Sequence, residues 1–206
     1  MKRFSLICLI FLGAISAFAR EIKISVLPGQ NWSSKHSPQF AIWLEDTEGN
    51  YIETLYVTEK ASKKSWIFAP KEGRPESLPI WYHSSKKDFI KGQEKNAILP
   101  LDAVTGATPK TGIQLSKTIT DKPCIIKAEF NVSFDYNDTY TKSNSSVNGQ
   151  PSVLYEAKIS ENADEEISLT YSGTGSVDGT DGKIYKTTPG LTTAISIIKS
   201  IILKVL

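Results

Sequence analysis

Alternating apolar side chains are the feature that most limits what this chain can fold into. In the segment 21–26, Ile22, Ile24 and Val26 fall on one face, as in a strand with one buried side. The same pattern returns at 125–136, 153–159 and 166–171, and two further strands are predicted at 51–57, after a turn signal, and over the isoleucine-rich segment 197–206. The segment 39–45 is apolar on both faces, which is typical of a strand inside a sandwich. These segments predict an all-β fold, a single immunoglobulin-like antiparallel β-sandwich.

Three parts of the chain depart from this pattern. The segment 61–100 is rich in proline, lysine and aromatic residues, and we interpret it as a long excursion with one short helix around 76–85. Long excursions of this kind carry function more often than the scaffold does. The polar segment 140–149 is expected to form a flexible surface loop. For 197–206 a final strand is expected, and a helix is the alternative.

The first 19 residues have the composition of a secretory signal peptide. Lys2 and Arg3 precede an apolar core from Phe4 to Ile15 that is too short for a stable membrane span, and a small-x-small cleavage site ends at Ala19. We therefore expect cleavage after Ala19, one domain over residues 20–206, no membrane span thereafter, and a periplasmic or otherwise exported location. An uncleaved membrane anchor is the alternative.

Charge and cysteine content exclude several functions for the mature chain. Removing Lys2 and Arg3 from the 24 basic residues leaves 22 basic and 22 acidic residues. A net charge near zero argues against nucleic-acid binding and against electrostatic attachment to a membrane. Cys124 is then the only cysteine, which excludes an internal disulfide and disfavours a cysteine-based metal or redox site.

Metal and hydrolase chemistry have no sequence signature here. His36 and His83 lie on separate polar segments without metal-ligand spacing, so no metal site is expected. The segment 178–182 lacks the alternating acids of a calcium loop and predicts a hairpin turn. Neither a Gly-x-Ser-x-Gly elbow nor a phosphate-binding glycine loop occurs, so no catalytic residue is predicted.

One motif does indicate chemistry, the segment Asp102-Ala-Val-Thr-Gly-Ala-Thr108. Gly106 and Ala107 offer almost no side-chain bulk in front of the hydroxyl of Thr108. Pro109 favours an extended Thr108, and Lys110 lies close enough in sequence to neutralise an attached phosphate. The backbone N–H groups of Gly106 and Ala107 are suited to face phosphate oxygens. A plain tight turn between strands is the alternative.

The motif resembles the one at which a bacterial FMN transferase links FMN to threonine through a phosphoester, as in the flavin-carrying subunit family of the sodium-translocating NADH:quinone reductase. The resemblance implies covalent FMN on Thr108, with Asp102 and Thr105 as contacts for the transferase. Trp66, Trp81 and Tyr82 are candidate contacts for the flavin ring, because aromatic walls stack on such rings. The alternative for these three is a place in the core or at the base of a loop.

A second resemblance extends over nearly the whole mature chain. The blocks 40–46, 78–82, 102–108, 149–155 and 190–194 resemble a family of predicted periplasmic bacterial proteins of unknown function. The two resemblances together imply an exported flavin carrier that relays electrons between a membrane-bound or other extracytoplasmic donor and an exported redox partner. Such a carrier is a substrate of the transferase and has no turnover of its own. The alternative is a non-catalytic exported binding or assembly module without a cofactor, with 61–100 as its recognition surface.

Overall fold

The computed structural model describes residues 19–32, 36–62, 74–92, 104–106, 110–161 and 166–206. The strands within these ranges are β1 Ala19–Pro28, β2 Gln39–Asp46, β3 Tyr51–Thr58, β4 Val104–Gly106, β5 Ile113–Thr120, β6 Cys124–Asn131, β7 Val153–Ile159, β8 Glu166–Ser168, β9 Thr170–Thr174 and β10 Ile198–Val205. The helices are α1 Glu59–Ser62, α2 Pro79–Gly92 and α3 Lys142–Ser145, with 3-10 turns at Pro75–Ser77 and Thr193–Ser196. This architecture confirms the predicted all-β sandwich.

The strands form two sheets. One sheet has four strands in the order β5-β1-β10-β8, and the other has six in the order β4-β3-β2-β6-β7-β9. All neighbouring strands are antiparallel except β3 and β4, which are parallel. In the first sheet, β1 lies between β5 and β10, so residues near the start of the described chain pair with residues near its end.

The main core fills the space between the sheets. The predicted inward face of β1 is confirmed, because Ile22, Ile24 and Val26 are all buried. They pack in one cluster with residues from the inner face of the six-stranded sheet, among them Phe40 and Phe130, whose ring centroids are 5.2 Å apart. Burial of this apolar surface is the main source of the stability of the fold.

A second, smaller core covers the outer face of the six-stranded sheet. Ala41, Trp43 and Leu154 project from that face and pack against Ile80 and Trp81 of α2. Both faces of β2 are therefore buried, as its sequence predicted, and the layer on the outer face comes from the excursion. The predicted helix exists, but α2 begins later than expected and extends seven residues further, to Gly92.

Two predicted strands differ from the observed ones. The segment 166–171 was expected to be one strand, and this was wrong: β8 pairs in the four-stranded sheet and β9 in the six-stranded sheet, with buried Leu169 at the crossing. The strand predicted over 125–136 ends at Asn131, and Phe134 has a φ of 61°. The final strand β10 is confirmed, whereas β4 and β5 were not predicted.

The segment 140–149 is not the exposed loop that its composition suggested. It contains α3, and the side chains of Tyr140, Ser145 and Asn148 are buried. The Tyr140 hydroxyl donates to the carbonyl of Pro189 at 2.8 Å, and the Ser145 hydroxyl donates to the carbonyl of Thr141 at 2.7 Å. Polar residues dominate this segment because its structure is held by hydrogen bonds and not by apolar contacts.

Candidate functional site

The described part of the flavin-attachment motif is an edge strand. Val104, Thr105 and Gly106 form β4, which runs parallel to β3 with Thr58 opposite Gly106. The alternative of a plain turn does not hold at Thr105 and Gly106, because both residues are in the strand. Asp102, Ala107 and Thr108 lie outside the described residues. Lys110 is described and is exposed.

The pairing of β4 fixes the end of the six-stranded sheet to which the motif leads. The C-terminal end of β4 lies beside Thr58, whose Oγ1 accepts a hydrogen bond from the backbone N–H of Phe40 at 3.1 Å. Gln39, at the start of β2, lies opposite Asn131 at the end of β6. The chain therefore leaves β4 at the same end of the sheet at which it enters β2 and leaves β6.

The candidate aromatic residues are divided by the structure. Trp66 lies outside the described residues. Trp81 is 2 % exposed, and its indole Nε1–H donates to Thr54 Oγ1 at 2.9 Å, so its ring contacts protein on all sides. Tyr82 is half-buried on α2, with its ring edge-to-face against His83. Trp81 therefore lies in the core, which was the alternative given for this residue. A flavin ring could contact Trp81 only if α2 moved.

A fully buried carboxylate, Glu129, joins α2 to the sheet. Its Oε1 accepts from the backbone N–H of Ile80 at 3.2 Å and from the Ser152 hydroxyl at 2.6 Å, and its Oε2 accepts from the N–H of Trp81 at 2.8 Å. The two N–H donors belong to the first turn of α2, where the helix dipole favours a negative charge. Burial outweighs these donors and raises the pKa of Glu129 to about 7.

An arginine network joins the excursion to the end of the sheet. The buried guanidinium of Arg74 donates to the hydroxyl of Ser133 and to Asn148 Oδ1, the latter at 2.6 Å. Gln39 Nε2 donates to the same Ser133 hydroxyl at 3.0 Å, and the Ser77 hydroxyl donates to Gln39 Oε1 at 3.0 Å. The bonds fix the segment before α2 against the ends of β2 and β6.

A cavity of about 580 Å³ opens at the same end of the sandwich. It lies where the segment after β1 meets the segment after β6 and is lined by Asn31, His36, Val132, Ser133, Phe134, Asp135 and Tyr136. Phe134 is 45 % exposed, and its ring centroid is 4.9 Å from that of His36 and 6.3 Å from that of Tyr136. The volume is in the range of about 300–1,000 Å³ typical of small-molecule sites.

The side chain of Asp135, which lines this cavity, accepts hydrogen bonds from three side chains. Asp135 Oδ2 accepts from Asn31 Nδ2 and Gln150 Nε2, each at 3.0 Å, and its Oδ1 accepts from the Thr193 hydroxyl at 2.6 Å. Burial nevertheless raises the pKa of Asp135. The sequence did not reveal the cavity, because its walls come from segments about 100 residues apart.

The remaining candidates have structural roles. Asp178 Oδ1 accepts from the N–H and hydroxyl of Thr180, and Asp181 Oδ1 accepts from the N–H of Lys183, which is the predicted hairpin-turn chemistry. Cys124 is buried, and burial raises the pKa of its thiol. Within the described ranges no group of three or more His, Cys, Asp or Glu side chains is arranged to hold a metal ion.

Comparison with known protein families gives one match. The model of a family described as predicted periplasmic protein, DUF2271, matches residues 19–138, more than half of the chain. The chain belongs to the DUF2271 family. The DUF2271 match begins at β1, contains the whole excursion and the motif, and ends just beyond the cavity residues of the β6 end.

Membership of DUF2271 confirms the predicted periplasmic location and, over residues 19–138, the resemblance to a periplasmic family of unknown function. The blocks 149–155 and 190–194 lie outside the match. No curated protein and no solved structure matches the chain. None of the helices in the described part of the DUF2271 chain has the length and apolar character needed to cross a membrane.

Proposed function

We propose that this protein is a periplasmic flavin carrier with FMN bound covalently to Thr108, which relays electrons between extracytoplasmic redox partners. The observation that carries the proposal is the motif from Asp102 to Thr108 in a chain of a periplasmic family. Covalent attachment suits this location, because a freely diffusing cofactor would be lost by dilution. The flavin supplies the redox chemistry, and the protein supplies attachment and surroundings.

The edge position of β4 supports modification by a separate enzyme. Among the described strands only β3 pairs with β4, so β4 is an edge strand of the six-stranded sheet. An exposed strand edge is a surface on which another protein can bind an extended segment. The small side chains at Gly106 and Ala107 leave room for the active site of a transferase around the neighbouring hydroxyl.

The attachment step balances with a flavin dinucleotide as donor. The Thr108 oxygen forms a bond to the phosphorus of the FMN half, the pyrophosphate bond breaks, and AMP leaves. The hydroxyl proton passes to a base of the transferase. The product is a phosphodiester with one negative charge, close in sequence to the cationic, exposed Lys110.

Co-expression with an FMN transferase tests the proposal. The full precursor is produced in a host shown to modify a control substrate and is purified under denaturing conditions. We expect flavin fluorescence that stays with the chain and an intact mass raised by one FMN less one water. Thr108→Ala abolishes both signals, whereas Thr111→Ala, which removes an exposed hydroxyl just outside the motif, keeps them.

Two outcomes separate the carrier from the site. An unmodified wild-type chain in a competent host refutes the carrier function and favours a cofactor-free binding or assembly module. Flavin that persists in Thr108→Ala and is lost in Thr105→Ala leaves the carrier function standing and moves the attachment to Thr105.

A further inference from the structure

We infer that the cavity lined by His36, Phe134 and Tyr136 is the docking site for the isoalloxazine ring of the flavin carried by the same chain. This inference rests on the proposed function and adds a place for the ring. None of the three residues was a candidate flavin contact from the sequence. Three properties of the molecule support it: the direction of the strands, the reach of the cofactor and the chemistry of the cavity.

The strand directions bring the attachment motif and the cavity to one end of the sandwich. β4 is parallel to β3, and β3 is antiparallel to β2, which is antiparallel to β6. β4 therefore ends at Gly106 at the same end of the sheet at which β6 ends at Asn131, shortly before Phe134. The separation between Gly106 and the end of β6 is mainly sideways, across the sheet.

The cofactor is long enough for that sideways distance. Three strand spacings separate β4 from β6, which is about 14 Å. The ribityl phosphate arm has roughly eight bonds of about 1.5 Å between the threonine oxygen and the ring and spans about 10 Å. The ring adds its own length, and the chain between Gly106 and Thr108 reaches up to about 7 Å further. The combined reach of the arm, the ring and this piece of chain therefore exceeds the sideways distance between β4 and β6.

The chemistry of the cavity suits a flat and largely uncharged ring. Its aromatic wall consists of Phe134 with His36 on one side and Tyr136 on the other. Two of its polar side chains are already engaged with other protein groups: Asp135 accepts three hydrogen bonds, and the Ser133 hydroxyl accepts from Gln39 and Arg74. A ligand therefore gains mainly stacking contacts there, which an isoalloxazine ring provides and an inorganic ion does not.

Two backbone hydrogen bonds fix the turn at Phe134: its N–H donates to the carbonyl of Val147, and its carbonyl accepts from the N–H of Tyr136, each at 2.9 Å. Phe134 has a φ of 61°, in the left-handed region that large side chains rarely adopt, and its side chain is 45 % exposed. A large apolar side chain held in strain and facing solvent indicates a role outside the fold's own core. A ring stacked on Phe134 covers this exposed surface.

The test compares the flavin signals of native and unfolded chains. The flavinylated protein is made by co-expression, and every signal is normalised to the flavin content given by intact mass. A phenol in contact with an isoalloxazine ring quenches its fluorescence, and a ring held in one orientation by protein shows visible circular dichroism. We expect quenched fluorescence and visible dichroism in the native wild type, both lost in denaturant.

Two variants assign these signals to the cavity. Tyr136→Phe keeps the ring shape and removes the phenol, so the native fluorescence rises towards the unfolded value. Phe134→Gly removes the stacking face and fits a φ of 61°, so the chain folds and the dichroism is lost. The matched control is Tyr185→Phe, because Tyr185 is also a partly exposed tyrosine with a bonded hydroxyl, and this variant leaves both signals unchanged.

The outcomes separate this inference from the proposed function. A chain that carries flavin on Thr108 but shows the same fluorescence in the native and unfolded states refutes docking and leaves the carrier function intact. Quenching and dichroism that survive both cavity variants refute the assignment to this cavity. A chain without attached flavin refutes the carrier function, and the docking inference fails with it.

Discussion

Ionisation of Glu129 should make the stability of the protein fall as the pH rises through neutrality. Burial raises the pKa of this carboxyl from its ordinary value of 4.5 to about 7 in the folded chain. An acid with a raised folded-state pKa binds its proton more tightly in the folded state, so its contribution is complete below the unfolded pKa. The contribution is lost as the pH rises towards and through the folded pKa.

The magnitude follows from the two pKa values. A shift of this size corresponds to about 3 kcal/mol in total, and about 2 kcal/mol of it is lost between pH 5 and pH 7. The full value applies because Glu129 has no exposed surface and solvent does not screen it. The stability should be lost at the contact between β6 and the first turn of α2, because Glu129 joins these two elements by accepting hydrogen bonds from the N–H groups of Ile80 and Trp81.

The assay is urea unfolding of wild type and Glu129→Gln at several pH values between 5 and 8. The glutamine does not titrate, so the free energy of unfolding of the wild type minus that of the variant should fall by about 2 kcal/mol between pH 5 and pH 7. The control is Glu166→Gln, because Glu166 is exposed on β8. A difference that stays constant across this range, or that grows with pH, would refute the reasoning.

Two further pairs of substitutions test the packing around the cavity. Gly149→Ala places a Cβ 2.5 Å from the backbone nitrogen of Asp135 at a φ of 69° and should cost at least about 2 kcal/mol in urea unfolding. Gly49→Ala, at a φ of 85° with open space around it, should cost only about 1 kcal/mol, and equal losses would contradict the role of the contact. Arg74→Ala should cost about 2–4 kcal/mol, because it leaves the buried Asn148 and Ser133 short of a donor. The stability of Arg74→Lys should lie between those of the wild type and Arg74→Ala, because one ammonium does not reproduce the forked hydrogen bonding of the guanidinium. If Arg74→Ala is as stable as the wild type, the network does not contribute to stability.

The sheets were predictable where one local pattern decides burial. β1 alternates between apolar and polar residues because one of its faces is buried. β2 is apolar from Phe40 to Leu44 because both of its faces are buried. The segment 166–171 misled the prediction because Ile167, Leu169 and Tyr171 alternate without interruption, although the chain changes sheets at Leu169. An alternating pattern indicates which side of a strand is apolar, but it does not indicate to which of the two sheets the strand belongs.

The site was predictable only where its residues are consecutive. The motif from Asp102 to Thr108 is visible in the sequence because its meaning lies in the order of neighbouring residues. The cavity is not visible, because Asn31, Asp135 and Thr193 meet only after the strands are in place. Because Phe134 continues the apolar alternation of β6, the strand was predicted to extend to residue 136. The positive φ of Phe134 instead turns the chain away from the sheet.

The central place of β1 in the four-stranded sheet has a consequence for the timing of folding. β1 pairs with β10 along most of its length, and about 180 residues of synthesis separate the two strands. Contacts of such long separation form late, because the entropy of closing the intervening chain must first be overcome. The pairing of β1 with β10 therefore cannot form before β10 has been synthesised, whereas β1 and β5 can pair earlier. The four-stranded sheet of this periplasmic protein is completed only when its last strand is present.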